Sequence, residues 1–91
     1  QVVGVAYKPN VAQLRQRPAE IVIEELKRAG ASVSWSDDLV FSWMGQASSP
    51  LGGSDIAIVV TLHTITDSQA VLASAPYVFD TTGKVKGAHS L

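Results

Sequence analysis

The sequence predicts an α/β domain built on a short parallel sheet, and three observations carry that expectation. Strand-length apolar runs alternate with helical stretches from one end of the chain to the other. Apolar residues fill 46% of 91 positions, which is high for so short a chain and argues for a well-buried sheet rather than disorder. Pro18, Gly30 and Pro76 stand where helices start or stop.

Taken in order, Val2 to Tyr7 is a short apolar run and reads as a buried strand. Pro18 suits the first position of a helix, where its missing N–H costs nothing. The stretch "PAEIVIEELKRAG" then places Val22, Leu26 and Ala29 on one face, with Ile23 alongside. Glu20, Glu24, Lys27 and Arg28 take the other face, and Gly30 supplies the stop. "ASVSWS" alternates as a second strand, with Val33 and Trp35 on one side. Residues 37 to 54 are the least regular: "DLVFSWMGQ" has the makings of a short helix, and "ASSPLGG" reads as a loop. "DIAIVV" is a continuous apolar strand of the kind covered by helices on both faces. Thr66 or Asp67 caps the helix "DSQAVLASA", Pro76 ends it, and "YVFD" makes a fourth strand before the loop "TTGKVKG".

This spacing implies right-handed crossovers and a three-layer, Rossmann-like domain of about four strands in the order 2-1-3-4. The switch point falls between strands one and three, and ligands of such sheets bind beyond the carboxyl ends of the strands there. Lys8, His63, Thr82 and Lys84 each follow the carboxyl end of a strand and are expected to share one edge.

Composition narrows the function. Cysteine is absent, which removes disulfides, thiolate nucleophiles and thiolate metal sites. No apolar run approaches a membrane span. The net charge of −1 predicts neither nucleic-acid nor membrane affinity, but the charge is unevenly spread. Residues 1–19 carry +3 and residues 20–91 carry −4, so the positive charge is concentrated in the opening loop. The chain also starts inside a strand, as a fragment or excised domain would. A cytoplasmic location is compatible with all of this.

A dinucleotide site needs G-x-G-x-x-G between the first strand and helix, and here Gly4 stands alone. NAD is therefore not expected to bind this chain in the standard way, and Asp37, at the place of a ribose-binding acid, reads as a cap or turn residue. Lys8 follows strand one where a nucleotide phosphate is expected, and its bland reading is a solvated lysine. Arg15 and Arg17 precede a helix N-terminus, where the dipole disfavours cations and Arg cannot cap. Either an anion meets them or they extend into water. His63, in "TLHTIT", has no partner carboxylate or nucleophile arranged around it in sequence and reads as structural. His63 and His89 lack metal-ligand spacing. Tyr7, Trp35, Trp43, Tyr77 and Phe79 are mostly core candidates, with Tyr7 placed to contact a base.

The run "GVAYKPNVAQLRQRPA", continuing through "IVIEELKRAGASVSWSDD", resembles the start of the C-terminal domain of the UDP-glucose/GDP-mannose dehydrogenase family. That pattern runs G-x-x-[FY]-K-x-[NT], an acidic pair, R-E-S-P-A, an amphipathic helix, G-A, a strand and Asp. "VVTLH" and "YVFDTTGKV" are similar to the family's third-strand end and its closing D-x-R segment. The K-P-N form is most similar to bacterial enzymes acting on UDP-N-acetylmannosamine. The resemblance implies that residues 1–91 are a UDP-sugar-binding C-terminal domain, a fragment of a longer, homodimeric, NAD-dependent dehydrogenase. NAD, the central dimer region and the nucleophilic cysteine then belong to the rest of that chain, and this part holds no catalytic residue. The full enzyme oxidises the sugar C6 alcohol of UDP-glucose or UDP-N-acetylmannosamine to a carboxylate, for polysaccharide biosynthesis.

By the same resemblance Tyr7 and Lys8 match the pair that contacts the nucleotide, and Arg15 matches the arginine of R-E-S. Arg17 and Thr82 complete the expected UDP-binding set, while Asn10, His63 and Lys84 are further candidates at the ligand edge. The sequence departs from the pattern at Ala12 and Gln13 for the acidic pair, Gln16 for Glu, Arg17 for Ser, Asp38 for Pro and Thr82 for Arg. An alternative is a diverged, non-catalytic nucleotide-binding or structural module.

Overall fold

The computed structural model describes residues 1–6, 9–10 and 18–90. A five-stranded parallel sheet runs in the order β2-β1-β5-β6-β7, formed by β1 (Val2–Val3), β2 (Trp35–Ser36), β5 (Ile56–Val59), β6 (Tyr77–Asp80) and β7 (His89–Ser90). Helix α1 (Pro18–Arg28) links β1 to β2, and α2 (Ser68–Ala73) links β5 to β6. A separate antiparallel hairpin joins β3 (Ser42–Trp43) to β4 (Gln46–Ala47). The first four sheet strands stand in the expected 2-1-3-4 arrangement, and β7 adds a fifth at the edge.

The sheet separates two apolar cores because neighbouring residues of a strand point to opposite faces. Val2 packs with Ala19 and Ile23 of α1 and with Val5, Trp35 and Val40. Val3 faces the other way, against Ala57, Val59, Val71 of α2 and Val78. Each fully buried valine contributes roughly 1.5–3 kcal/mol of transfer free energy, so both faces are needed for so small a chain. Coverage of β5 is unequal: Ala57 and Val59 are completely buried, whereas Ile56 is 49% exposed. Ile56 and Ile58 line a cavity of about 390 Å³ together with Leu26 and Val33.

Helix α1 begins at Pro18 and ends in a Schellman-type closure. The Ala31 N–H donates to Leu26 O and the Gly30 N–H to Lys27 O, with Gly30 at φ 94°. Asp67, not Thr66, caps α2, its carboxylate accepting from Gln69 N at 2.9 Å and Ala70 N at 3.4 Å.

Two expectations are corrected. Residues 42–47 form the β3–β4 hairpin and not a short helix. Both turn residues, Met44 and Gly45, lie at positive φ (54° and 72°), the geometry a two-residue hairpin turn needs and a helix forbids. Trp43, packed edge-on to Trp35 with ring centroids 5.9 Å apart, fastens the hairpin to the α1-side core. The first strand is also shorter than its apolar run, ending at Val3 because Gly4 takes φ 84°. Among the described residues no helix is long and apolar enough to cross a membrane.

Gly4 sits so close to β5 that a Cβ there would lie 1.8 Å from the Thr61 carbonyl oxygen. Gly4→Ala is expected to destabilise the chain by at least about 3 kcal/mol in urea denaturation, combining positive-φ strain with a backbone clash. Gly45→Ala, with open space around it, tests the strain alone and is expected to cost about 1 kcal/mol.

Candidate functional site

Beyond the carboxyl ends of β1, β2 and β5, the chain turns around one buried carboxylate. Asp37, directly after β2, accepts from Val5 N (2.8 Å) and Ala6 N (3.1 Å) on Oδ2. Its Oδ1 accepts from Leu39 N (2.8 Å) and Val40 N (3.0 Å), and meets His63 Nε2 at 2.9 Å. Asp37 is thus a turn residue, as expected, and it also ties the segment following β1 to the segment following β5. The Thr61 hydroxyl adds a 2.7 Å bond to Ala6 O.

His63 does have a partner carboxylate, brought from 26 residues away by the fold. It is 2% exposed, and its Nδ1 accepts the Asn10 N–H at 2.8 Å. A backbone N–H can only donate, so Nδ1 carries a lone pair and Nε2 carries the proton given to Asp37. Asn10, at φ 66°, also exchanges two side-chain bonds with Thr64. Its Oδ1 accepts from Thr64 N at 2.7 Å, and its Nδ2 donates to Thr64 Oγ1 at 2.9 Å.

Asp80 organises the neighbouring loop. Its Oδ1 accepts from Thr82 N (2.8 Å) and Thr82 Oγ1 (2.6 Å), and its Oδ2 from Val85 N (2.8 Å). Thr82 Oγ1 in turn accepts from Lys84 N at 3.2 Å. The Thr82 hydroxyl is therefore engaged inside its own loop, and Lys84 is exposed.

Of the residues singled out from the sequence, Asn10 and His63 meet directly, and Thr82 and Lys84 share the loop after β6. Tyr7, Lys8, Arg15 and Arg17 lie outside the described residues. Sequence reading gave Asp37 only a turn role, because its partner His63 lies 26 positions away. Among the described residues, no group of three or more His, Asp or Glu could hold a metal ion. Among the described residues there is also no dinucleotide cradle: Gly4 stands alone after β1, and both Asp37 oxygens are already taken by donors. A recess lined by Gly4, Asp37, Asp38, Thr61, His63 and Thr66 holds only about 10 Å³, space for a water molecule.

Burial alone would raise the Asp37 carboxyl. The hydrogen bonds from Leu39, Val5 and Ala6 N–H groups, with His63 beside them, outweigh it and hold the group below the usual carboxylate range. Burial likewise opposes ionisation of Asp80, and the Thr82 hydroxyl with the Val85 and Thr82 N–H groups reverses it. For both, the unfolded chain binds protons that the folded chain refuses. Their stabilisation is therefore complete above about pH 5 and is lost as pH falls through the depressed folded values. Asp37→Ala strands four N–H groups and the His63 Nε2–H, and is expected to cost about 3–5 kcal/mol in urea denaturation. Asp37→Asn is expected to cost less and to flatten the acid side of the stability–pH curve.

With this geometry in view, comparison with known proteins is informative. Residues 1–87 match the model of the UDP-glucose/GDP-mannose dehydrogenase family, UDP binding domain. The solved structure of a UDP-D-ManNAc dehydrogenase from Pyrococcus horikoshii superposes with a TM-score of 0.67 at 18% identity, covering 98% of this chain and 23% of that one. At that identity the likeness establishes the fold. The chain thus spans about a quarter of the length of that enzyme. No curated protein matches the chain. The match over nearly all of its length shows that the chain belongs to the UDP-glucose/GDP-mannose dehydrogenase family, as a UDP-binding domain.

Proposed function

We propose that this domain binds the UDP portion of a nucleotide sugar for an NAD-dependent UDP-sugar 6-dehydrogenase, and performs no chemistry itself. The enzyme oxidises the C6 alcohol of UDP-glucose or UDP-N-acetylmannosamine to a carboxylate. NAD, the reactive cysteine and the dimer contacts are supplied by the N-terminal and central domains of a longer, cytoplasmic chain. The observation that carries this reading is the family match over residues 1–87, combined with a sheet edge where the segments after β1, β2 and β5 meet. A diphosphate carries negative charge, and the +3 of residues 1–19 is the local cationic excess available to meet it.

In this reading Tyr7 stacks on or beside the base and Lys8, Arg15 and Arg17 meet the phosphates. Asn10, His63, Thr82 and Lys84 complete or support the edge. A second reading is favoured by one observation: the Thr82 hydroxyl is spent on Asp80, in a loop where the family places an arginine. A module that retains UDP without turnover fits that loss.

Calorimetric titration with UDP tests both readings. Specific binding is expected, weakened at least about tenfold by Lys8→Ala, the worth of one charge-assisted hydrogen bond. Binding that is absent, or indifferent to Lys8→Ala, overturns both. Turnover of a UDP-sugar with NAD by the longer chain selects the enzyme over the module.

A further inference from the structure

We propose that the α1-side face of β5 and β6 is a docking surface for the polypeptide that leads into Gln1, which covers it with the apolar side of a helix. The inference goes beyond UDP binding, and it rests on the longer chain that the dehydrogenase reading invokes. Parallel sheets are buried on both faces, because their crossovers bring helices to each side. Here the described residues cover the two faces unevenly. On one face α2 packs over β5 and β6, with Val71 in the core of Ala57, Val59 and Val78. On the other α1 packs over β1 and β2, with Ala19 and Ile23 in the core of Val2 and Trp35.

Register shows what α1 leaves open. Ile58 pairs with Val2, so it points to the α1 side, and Ile56 shares its face. Tyr77 and Phe79 stand beside them on β6. His89 extends the row onto β7, its ring stacked on Tyr77 with centroids 4.2 Å apart. None of Ile56, Ile58, Tyr77 and Phe79 joins either core, and β5 is the central strand of the five. Ile56 and Tyr77 are 49% and 42% exposed. Beside this row lies the recess of about 390 Å³, walled by Ile56, Ile58, Leu26 and Val33.

Three observations identify the occupant. Polar groups at the recess are engaged internally: the Gln1 side chain bonds Pro50 O and Gly52 N, and Ser54 Oγ donates to Ile56 O. An apolar occupant is therefore favoured over a polar ligand. The four apolar side chains, each about half covered or more, leave on the order of 300 Å², where two copies need about 800 Å² per partner. A tethered segment needs less area, since its tether supplies a high effective concentration. Finally, Gln1 lines the recess, and its N lies 2.8 Å from Ile56 O. A chain arriving from the N-terminal and central domains therefore enters beside the bare face.

The test uses thiol labelling, because residues 1–91 contain no cysteine. Ile56→Cys is placed in residues 1–91 and in the longer chain, and maleimide reaction at that position is followed by peptide mass. The thiol is expected to react in residues 1–91 as an exposed one, and at least about tenfold more slowly in the longer chain, as for a site closed nine-tenths of the time. A photoreactive maleimide on the same thiol is expected to cross-link to the segment just before Gln1. Tyr77→Cys, on the neighbouring strand, gives the same readout should Ile56→Cys fail to fold. Equal rates in the two chains overturn the docking surface and leave UDP binding standing. Slow labelling of residues 1–91 alone overturns it too, and recovery on dilution then identifies a second copy as the cover. Cross-linking to any other segment overturns the named occupant. A chain with no dinucleotide fingerprint before Gln1 overturns the dehydrogenase reading itself, and this inference with it.

Discussion

The Asp37 carboxylate is the constraint on which the rest of the structure depends. Three strands of a parallel sheet end on the same edge, and each leaves backbone N–H groups that no further strand pairs. Val5 and Ala6 follow β1 and are buried, so their N–H groups need an acceptor. Asp37 supplies it, turns the chain after β2 through Leu39 and Val40, and fixes the ring of His63 after β5. Five donors around one buried charge compensate its desolvation. Removing the charge would leave the donors stranded, which is why this single group joins fold and site.

The two cores are arranged to suit that knot. Gly4 lets β1 break at Val3 and approach β5 at a distance no side chain allows, and this delivers Val5 and Ala6 to Asp37. The strands stay short because the edge they lead to is held by side-chain acceptors and not by continued ladder pairing. Asp80 repeats the device on a smaller scale after β6, where it closes the loop through Thr82 and Val85. The carboxyl edge is therefore built from carboxylates whose charge is consumed internally.

Much of this was legible in the sequence. Periodicity, Pro18 and Gly30 gave α1, and the apolar runs gave β1, β5 and β6 in the right order. Family resemblance carried the UDP-binding identity, which periodicity alone cannot reach. What was not legible depended on contacts between distant residues or on an unusual backbone. The β3–β4 hairpin hinges on Met44 at positive φ, a conformation that methionine rarely signals. The two-residue β7 has no pattern of its own and exists by pairing with Phe79 and Asp80. The Asp37–His63–Asn10 chain joins residues 26 and 53 positions apart, so no local window contains it.

The charge economy of this edge bears on where an anionic ligand can be gripped. Asp37, Asp38, Asp67 and Asp80 all stand at or just beyond the carboxyl ends of strands or at the following helix cap. A diphosphate laid over them would meet net repulsion unless cations were supplied from elsewhere. Internal hydrogen bonding mutes Asp37 and Asp80 but does not make the edge positive. Lys84 and Lys86 are the cations of the loop after β6, and Thr82 adds none where the family pattern has arginine. The remaining charge is the +3 of residues 1–19, with Arg17 an addition relative to the family's serine. If the domain binds a nucleotide diphosphate as proposed, the cations that meet it come chiefly from that segment.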